Sequence, residues 1–297
     1  MKSTGRDSQS EFILPELFHE MDKWVYPLHF IDFEGIAPAI PLYKGMKPYQ
    51  KTPFQFSIHT MYEDGTVKHS AEWIEKERGV FPCFTFIREL KKVLEKDDGS
   101  VLMYHHYERT TLNDVRKMLI QSEESDAKEL ILFIDSLVDE SSKRFLIDQQ
   151  RVLLNYYYSV FMGKSNSIKY VLPAVLSESE YLQEYYSKPY SGLSIKDKIF
   201  YKQKDGLAIN PYSLLNPLNS PDIPEVLDEE NIVFEDSEKN NVTDGIMAMT
   251  AWMKMQFSQI EEIERNRVFE SLLRYCELDT LAMVMIHQHW MSLKNQI

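Results

Sequence analysis

Residues 30 to 35 read Phe30-Ile31-Asp32-Phe33-Glu34-Gly35, and the reading of this stretch decides the fold. From Tyr26 to Phe33 the chain is apolar and bounded by Pro27 and Gly35, so it reads as a buried strand that delivers Asp32 and Glu34 at its end. Side chains two apart on a strand leave from one face, so both carboxylates can meet the same cation. With 46 acids in 297 residues, acids two apart arise by chance about seven times, so the apolar setting is what carries weight. Ionised carboxylates placed there are costly unless a cation or hydrogen-bond donors meet them. The alternative is that the pair lies at the solvent-facing end of the strand.

Working outward, Pro53 to Thr60 alternates as a strand, and Asp64-Gly65 turns it into a second run from Thr66 to Ser70. Phe84 to Lys96 carries Phe86, Ile87, Leu90, Val93 and Leu94 at helical spacing and stops near Asp98-Gly99. Ser100 to His105 is short, apolar and bounded by turns, so it reads as a fourth strand. Helical patterns follow from Arg109 to Gln121 and from Lys128 to Val138, and Phe145 to Asp148 reads as a short fifth strand. The order predicts an α/β layer structure, a mixed sheet flanked by helices. Beyond it, Ser167 to Pro173 begins a short apolar element, residues 211–224 are rich in Pro, Asn and Ser, and Asp222 to Glu238 is an acidic, solvated loop. From Glu261 to Lys294 neither Pro nor Gly interrupts, which predicts one long closing helix or two helices meeting near Tyr275.

Composition bounds the rest. The 33 basic and 46 acidic residues give a formal charge of −13, which argues against broad electrostatic binding of long duplexes. A carboxylate site is itself acidic, and a bound cation restores positive charge locally. Cys83 and Cys276 show no metal-ligand spacing and no disulfide framework, as expected of a reducing cytoplasm. Met1 to Glu20 lacks a signal-peptide core, and no run approaches the ~18 apolar residues of a membrane span, so a soluble cytoplasmic protein is expected.

Two further elements bear on the carboxylates. In the closing helical stretch Tyr275 and Asp279 stand at i and i+4 and share a face. The fourth strand ends Tyr104-His105-His106-Tyr107-Glu108, which sets Glu108 beside the end of the first strand if the two are neighbours. An all-oxygen set suits Mg²⁺ or Mn²⁺. His105 and His106 lack a matching His/Cys set and read as packing, hydrogen-bonding or substrate-contact residues rather than ligands of a transition metal.

Taken in order, residues 30–35, Pro48-Tyr49-Gln50 with 53–57, residues 104–108, 167–173, Asp244-Gly245, and residues 275–280 followed by Ala282-Met283 resemble a family. It is a bacterial domain-of-unknown-function family of ribonuclease H-like, DnaQ-type 3′–5′ exonucleases of the four-acid, Tyr-x-x-x-Asp subtype. The similarity runs from about residue 26 to 290. It implies a ribonuclease H-like mixed sheet in one domain, residues 26–297, after an extension over residues 1–25. It further implies a family-specific helical and loop insertion over about 160–260, before the C-terminal helix. The implied site has Asp32, Glu34, Glu108 and Asp279 as ligands of two Mg²⁺ or Mn²⁺ ions, and Tyr275 orienting the attacking water. Better-known relatives carry Asn and Asp where this chain has Tyr104 and Glu108, and Asp148 is an alternative fourth acid. Relatives often carry a RecB-type nuclease region ahead of this one, so a protein partner such as a separate nuclease subunit is expected.

The expected substrate is single-stranded or short DNA or RNA. Lys188, Lys196, Lys198, Lys202 and Lys204 lie close to Tyr190, Phe200 and Tyr201, with Lys164 and Lys169 upstream. Such a segment is either a strand-binding surface that pairs phosphates and stacks bases, or a solvated face over buried aromatics. The competing expectation for the whole chain is a catalytically silent module of the same fold that binds nucleic acid or a partner.

Overall fold

The computed structural model describes residues 10–215 and 248–295. The acidic run from Asp222, the Asp244-Gly245 pair and the middle of the expected insertion lie outside the described residues.

The central strand, β2 (Leu28–Ile36), comes after β1 (Glu11–Ile13) and α1 (Glu16–Met21). It pairs antiparallel with β3 (Thr52–Met61) from Leu28 opposite Met61 to Ile36 opposite Thr52, with a bulge between Glu34 and Gly35. β4 (Val67–Ile74) returns antiparallel to β3 through the Asp64-Gly65 turn, where Gly65 has φ +82° and the Asp64 carboxylate accepts the Thr66 N–H at 2.9 Å. On the other side of β2 run β5 (Val101–Met103) and β6 (Ile147–Asp148), parallel to it and to each other. The sheet order is β4-β3-β2-β5-β6. The five strands expected from the sequence are therefore present, in a mixed α/β sheet flanked by helices.

The two faces differ. Ile31 and Phe33 of β2 point into a core with α2 (Cys83–Leu94), α3 (Tyr107–Ile120) and α4 (Ala127–Val138), built on Phe56, Phe86, Leu112 and Ile134. Leu28 and Phe30 point the other way, into a core shared with α6 (Ile168–Glu178), α7 (Glu180–Tyr186) and α9 (Glu262–Lys294). Strand periodicity puts Asp32 and Glu34 on this second face. Ahead of these helices come α5 (Gln149–Tyr156) and β7 (Tyr157–Ser159), which pairs with β1; residues 248–257 form α8, where Trp252 stacks on Phe54 at 4.6 Å. Leu17, Phe18, Met21 and Trp24, from the stretch read as an extension, pack into the same core as α9.

The closing helix is one element. α9 has 33 residues, about 50 Å of helix at 1.5 Å per residue. Every residue from Cys276 to Trp290 is buried, because the sheet covers one side and α6 and α7 the other. Among the described residues no helix is long and apolar enough to cross a membrane.

Candidate metal centre

Asp32 and Glu34 sit where β2 outruns its parallel neighbour. β5 pairs only with His29 and Phe30, so the β2 edge beyond them is left open to the chain that leaves β5. That chain makes a tight turn at His105, at φ +73°, which starts α3 and sets Glu108 in its first turn. The Glu108 carboxyl accepts the Phe33 N–H and faces Asp32. Its Oε2 has no hydrogen-bond partner among the described residues, although Glu108 is only 2% exposed. Burial first, and then the neighbouring Asp32 charge, push the Glu108 carboxyl well above the usual range.

The fourth acid comes from α9. One oxygen each of Asp32, Glu34 and Asp279 lie within 4.8 Å of one another. Glu108 stands beside this trio, so the structure brings together all four acids singled out in the sequence. Asp148 caps α5 by accepting the Arg151 N–H at 3.0 Å, and its charge reaches Glu108 from two strands away. Burial pushes the Asp32 carboxyl up to about 6, opposed by a hydrogen bond from the Cys276 thiol at 3.2 Å and by the Lys169 charge. A hard cation fits this set: the donors are all carboxylate oxygens, one of them buried without a hydrogen-bond partner.

Tyr275 lies one turn before Asp279. Lys169 Nζ is 5.1 Å from the centre of its ring and 5.4 Å from that of Tyr212, whose hydroxyl donates to Asp279 Oδ1. Tyr212 is held there by a local device. Pro173 inside α6 has no N–H, which leaves the Lys169 carbonyl one turn back without its helical donor. The Asn210 side-chain amide donates to that carbonyl at 3.1 Å, and its oxygen caps the turn at Pro211–Leu214 by accepting the Tyr212 N–H at 3.1 Å. A missing backbone donor in α6 thus steers a tyrosine onto Asp279.

The remaining residues singled out in the sequence divide by position. Lys169 is at the acids. His105 and His106 are exposed at the rim, their rings 3.8 Å apart. Lys164 is exposed in the loop ahead of α6. Lys196 donates to the Gly192 carbonyl, and Lys198 bridges Tyr190 in a segment anchored on Glu277, on the far side of α9 from Asp279. Tyr201 donates to Gln203 at 2.9 Å, and Lys202 accepts the Ile209 N–H through its carbonyl. The structure therefore sets Lys196 and Lys198 apart from the carboxylates, while the contacts of Tyr201 and Lys202 are with their own hairpin.

Sequence reasoning missed the network on that far side. Glu277 accepts the N–H groups of Ser194 and Ile195 and the Tyr190 hydroxyl, each at 2.8 Å, and lies 3.3 Å from His69 Nδ1. His69 Nε2 is 2.9 Å from Ser57 Oγ, which is 2.9 Å from Thr280 Oγ1, and His59 joins through Thr280 and Tyr190. Burial pushes the Glu277 carboxyl up, but its bonds from His69, Ile195 and Tyr190 outweigh this and hold it below the usual value. His69, Glu72 and Glu277 also cluster within 4.8 Å, yet protein donors already occupy Glu72 and Glu277. The signal in the sequence was an acid within an apolar helical run at residue 277; Tyr212 was foreshadowed by the Asn210-Pro211 helix-start pair.

Fold and site together define a mixed α/β protein with a carboxylate cluster at the end of its central strand. A family model described as a domain of unknown function (DUF2779) matches residues 29–166, which takes in Asp32, Glu34, Glu108 and Asp148 and ends before Tyr275 and Asp279. No curated protein and no solved structure matches the chain.

Proposed function

We propose that this protein is a metal-dependent 3′–5′ exonuclease of the ribonuclease H-like, DnaQ type, acting on single-stranded or short DNA or RNA. The observation that carries the reading is the meeting of Asp32, Glu34 and Asp279 within 4.8 Å with Glu108 facing Asp32. Three antiparallel strands followed by two parallel ones support the fold assignment.

Asp32, Glu34 and Asp279 would hold one Mg²⁺ or Mn²⁺, and Asp32 with Glu108 a second. Two such ions, when bound, activate a water and stabilise the leaving 3′ oxygen of a phosphodiester. Lys169 offers a positive charge to the phosphate beside Asp32. Tyr275 supplies a hydroxyl one turn from Asp279 that orients the attacking water as a hydrogen-bond partner. Tyr212 and Cys276 donate to Asp279 and Asp32 and aim the two carboxylates.

The same two donors support a second reading, a catalytically silent module of this fold. Incubation of end-labelled single-stranded DNA and RNA with Mn²⁺, wild type against Asp32→Asn, separates the two. Ladder formation by wild type alone supports the exonuclease, whereas intact substrate from both leaves the silent module.

A further inference from the structure

A second concavity opens between the β2–β3 connection and helices α2 and α3. It encloses about 590 Å³, within the range of small-ligand sites, and its walls include Lys44, Lys47, Lys117, Phe81, Phe84 and Met118. In a chain of net charge −13, three ammonium groups on one cavity are a local reversal of sign. Asp114 offsets one by accepting Lys117 Nζ at 2.8 Å, while Lys44 and Lys47 are exposed and have no ion-pair partner among the described residues. Phe81 and Phe84 pack edge to face at 5.6 Å and remain half-buried, so aromatic surface stays open to a ligand. Between the lysines, Gly45 takes φ +82° with nothing within 4 Å of where a Cβ would lie, which leaves the backbone there open to close approach.

A chain of contacts leads from the cavity toward the acids. Gln50 lines it, and the next residue, Lys51, donates to Thr110 and lies 4.7 Å over the Tyr107 ring. The Tyr107 hydroxyl in turn lies against Gly35 and near Glu34. Met118 stands ten residues along α3 from Glu108, about 15 Å at the rise of an α-helix. Stacked nucleotides advance about 3.4 Å each, so the cavity is about four nucleotides from the carboxylates.

We propose that this cavity receives a nucleotide of the substrate strand some four positions from the scissile bond. Its phosphate is held by Lys44, Lys47 and Lys117, and its base lies against Phe81 and Phe84. Aromatic faces accept any base and lysines any phosphate, so the site selects single strands longer than a few nucleotides without reading their sequence. This assignment rests on the nuclease reading of the acids, and it moves the strand path away from the segment around Lys196 and Lys198.

The test compares fluorescein-labelled oligothymidylates of twelve and three nucleotides by anisotropy in chelator, beside their cleavage by wild type in Mn²⁺. Wild type is expected to bind the twelve-mer at least about tenfold more tightly than the trimer. In the double variant Lys44→Glu/Lys47→Glu, both on exposed loop positions, that ratio should fall to about two; Lys44→Arg/Lys47→Arg should restore it. The same charge change at exposed Lys128 and Lys143 should leave the ratio as in wild type. An unchanged ratio in the Lys44/Lys47 reversal, or equal loss in the Lys128/Lys143 control, overturns the cavity assignment. In that event, trimer cleavage by wild type shows that the nuclease reading stands. Failure of wild type to bind or cleave either oligothymidylate, or the oligouridylates of the same lengths, removes the nuclease reading and this assignment with it.

Discussion

Glu277 and Asp279 stand two residues apart on α9 and leave it on opposite sides, one into a sealed network on β3 and β4, the other into the carboxylates at the end of β2. The first fixes the helix against the sheet, so that the second meets Asp32 and Glu34. The two are one mechanical unit, and disturbing either should be felt at the other.

Glu277→Gln replaces an acceptor of three hydrogen bonds by an amide whose NH₂ must face one of the donors Ser194, Ile195 or Tyr190. The expected loss of stability is about 2–4 kcal/mol, read from the midpoint of urea unfolding at constant m. Gly192→Ala should act on the same contact, since a Cβ there would lie 1.8 Å from Glu277 Oε1. Wild-type midpoints for both variants would show that the network does not brace the helix.

Asp279→Asn and Tyr275→Phe should fail differently. Loss of the carboxylate charge is expected to lower the single-turnover rate roughly a thousandfold or more. Loss of one hydroxyl beside a charged water costs about 1.5–3 kcal/mol, or roughly ten- to hundredfold, with little change in substrate affinity. Tyr275→Phe at wild-type speed would remove that residue from the attacking water while sparing the metal site.

Mn²⁺ should raise the melting temperature. Binding to the folded chain alone contributes about 2.7 kcal/mol at a hundredfold excess over Kd. The shift should vanish in Asp32→Asn, and an equal shift in that variant would locate the binding elsewhere.

The pH dependence arises from buried groups of opposite kind. Burial, reinforced by His69, holds His59 well below its usual value, and burial pulls His287 down to about 3. Unfolded histidines take their proton near pH 6.5, so these two contribute stability present above that pH and lost as it falls. His29, lowered by burial against its bond to Asp97, adds to the same side. Asp32, at about 6, and Glu108, well above its usual value, bind protons in the folded state before the unfolded chain does, which stabilises as pH falls. Between pH 6 and 5 the two carboxyls oppose the histidines. The double variant Asp32→Asn/Glu108→Gln should lose stability more steeply than wild type as pH falls from 6 to 5, measurable by urea unfolding at the two values. An equal pH dependence in variant and wild type would contradict the assignment.

Asn210→Ala should uncap the Pro211–Leu214 turn at about 1 kcal/mol and release Tyr212 from Asp279. Mn²⁺ affinity is expected to fall by several-fold, measured by titration calorimetry, and an unaltered affinity would show that Tyr212 does not aim the carboxylate.

The strands and the first three long helices were legible because periodicity and turn residues marked them directly, as at Asp64-Gly65 and from Phe86 to Leu94. The carboxylates of β2 were legible for the same reason. β3 was legible only in part. Its alternation Gln55-Phe56-Ser57-Ile58-His59 reads as one face to core and one to water, yet α9 covers the polar face. Gln55 bonds the Leu272 carbonyl and Ser57 bonds Thr280 across more than two hundred residues of chain. Local pattern carries no information about such partners. Lys196 and Lys198 were grouped with the acids on composition, but Glu277 holds their segment on the other side of α9, and only the fold separates the two sides.

The unbroken burial from Cys276 to Trp290 has a consequence for motion. Amides deep in a packed helix exchange with solvent only through global opening, whereas exposed turns such as residues 262–267 exchange by fraying. Asp279 therefore rides on a part of the molecule that opens only with the whole fold, and Asp32 and Glu34 meet a partner whose position does not drift.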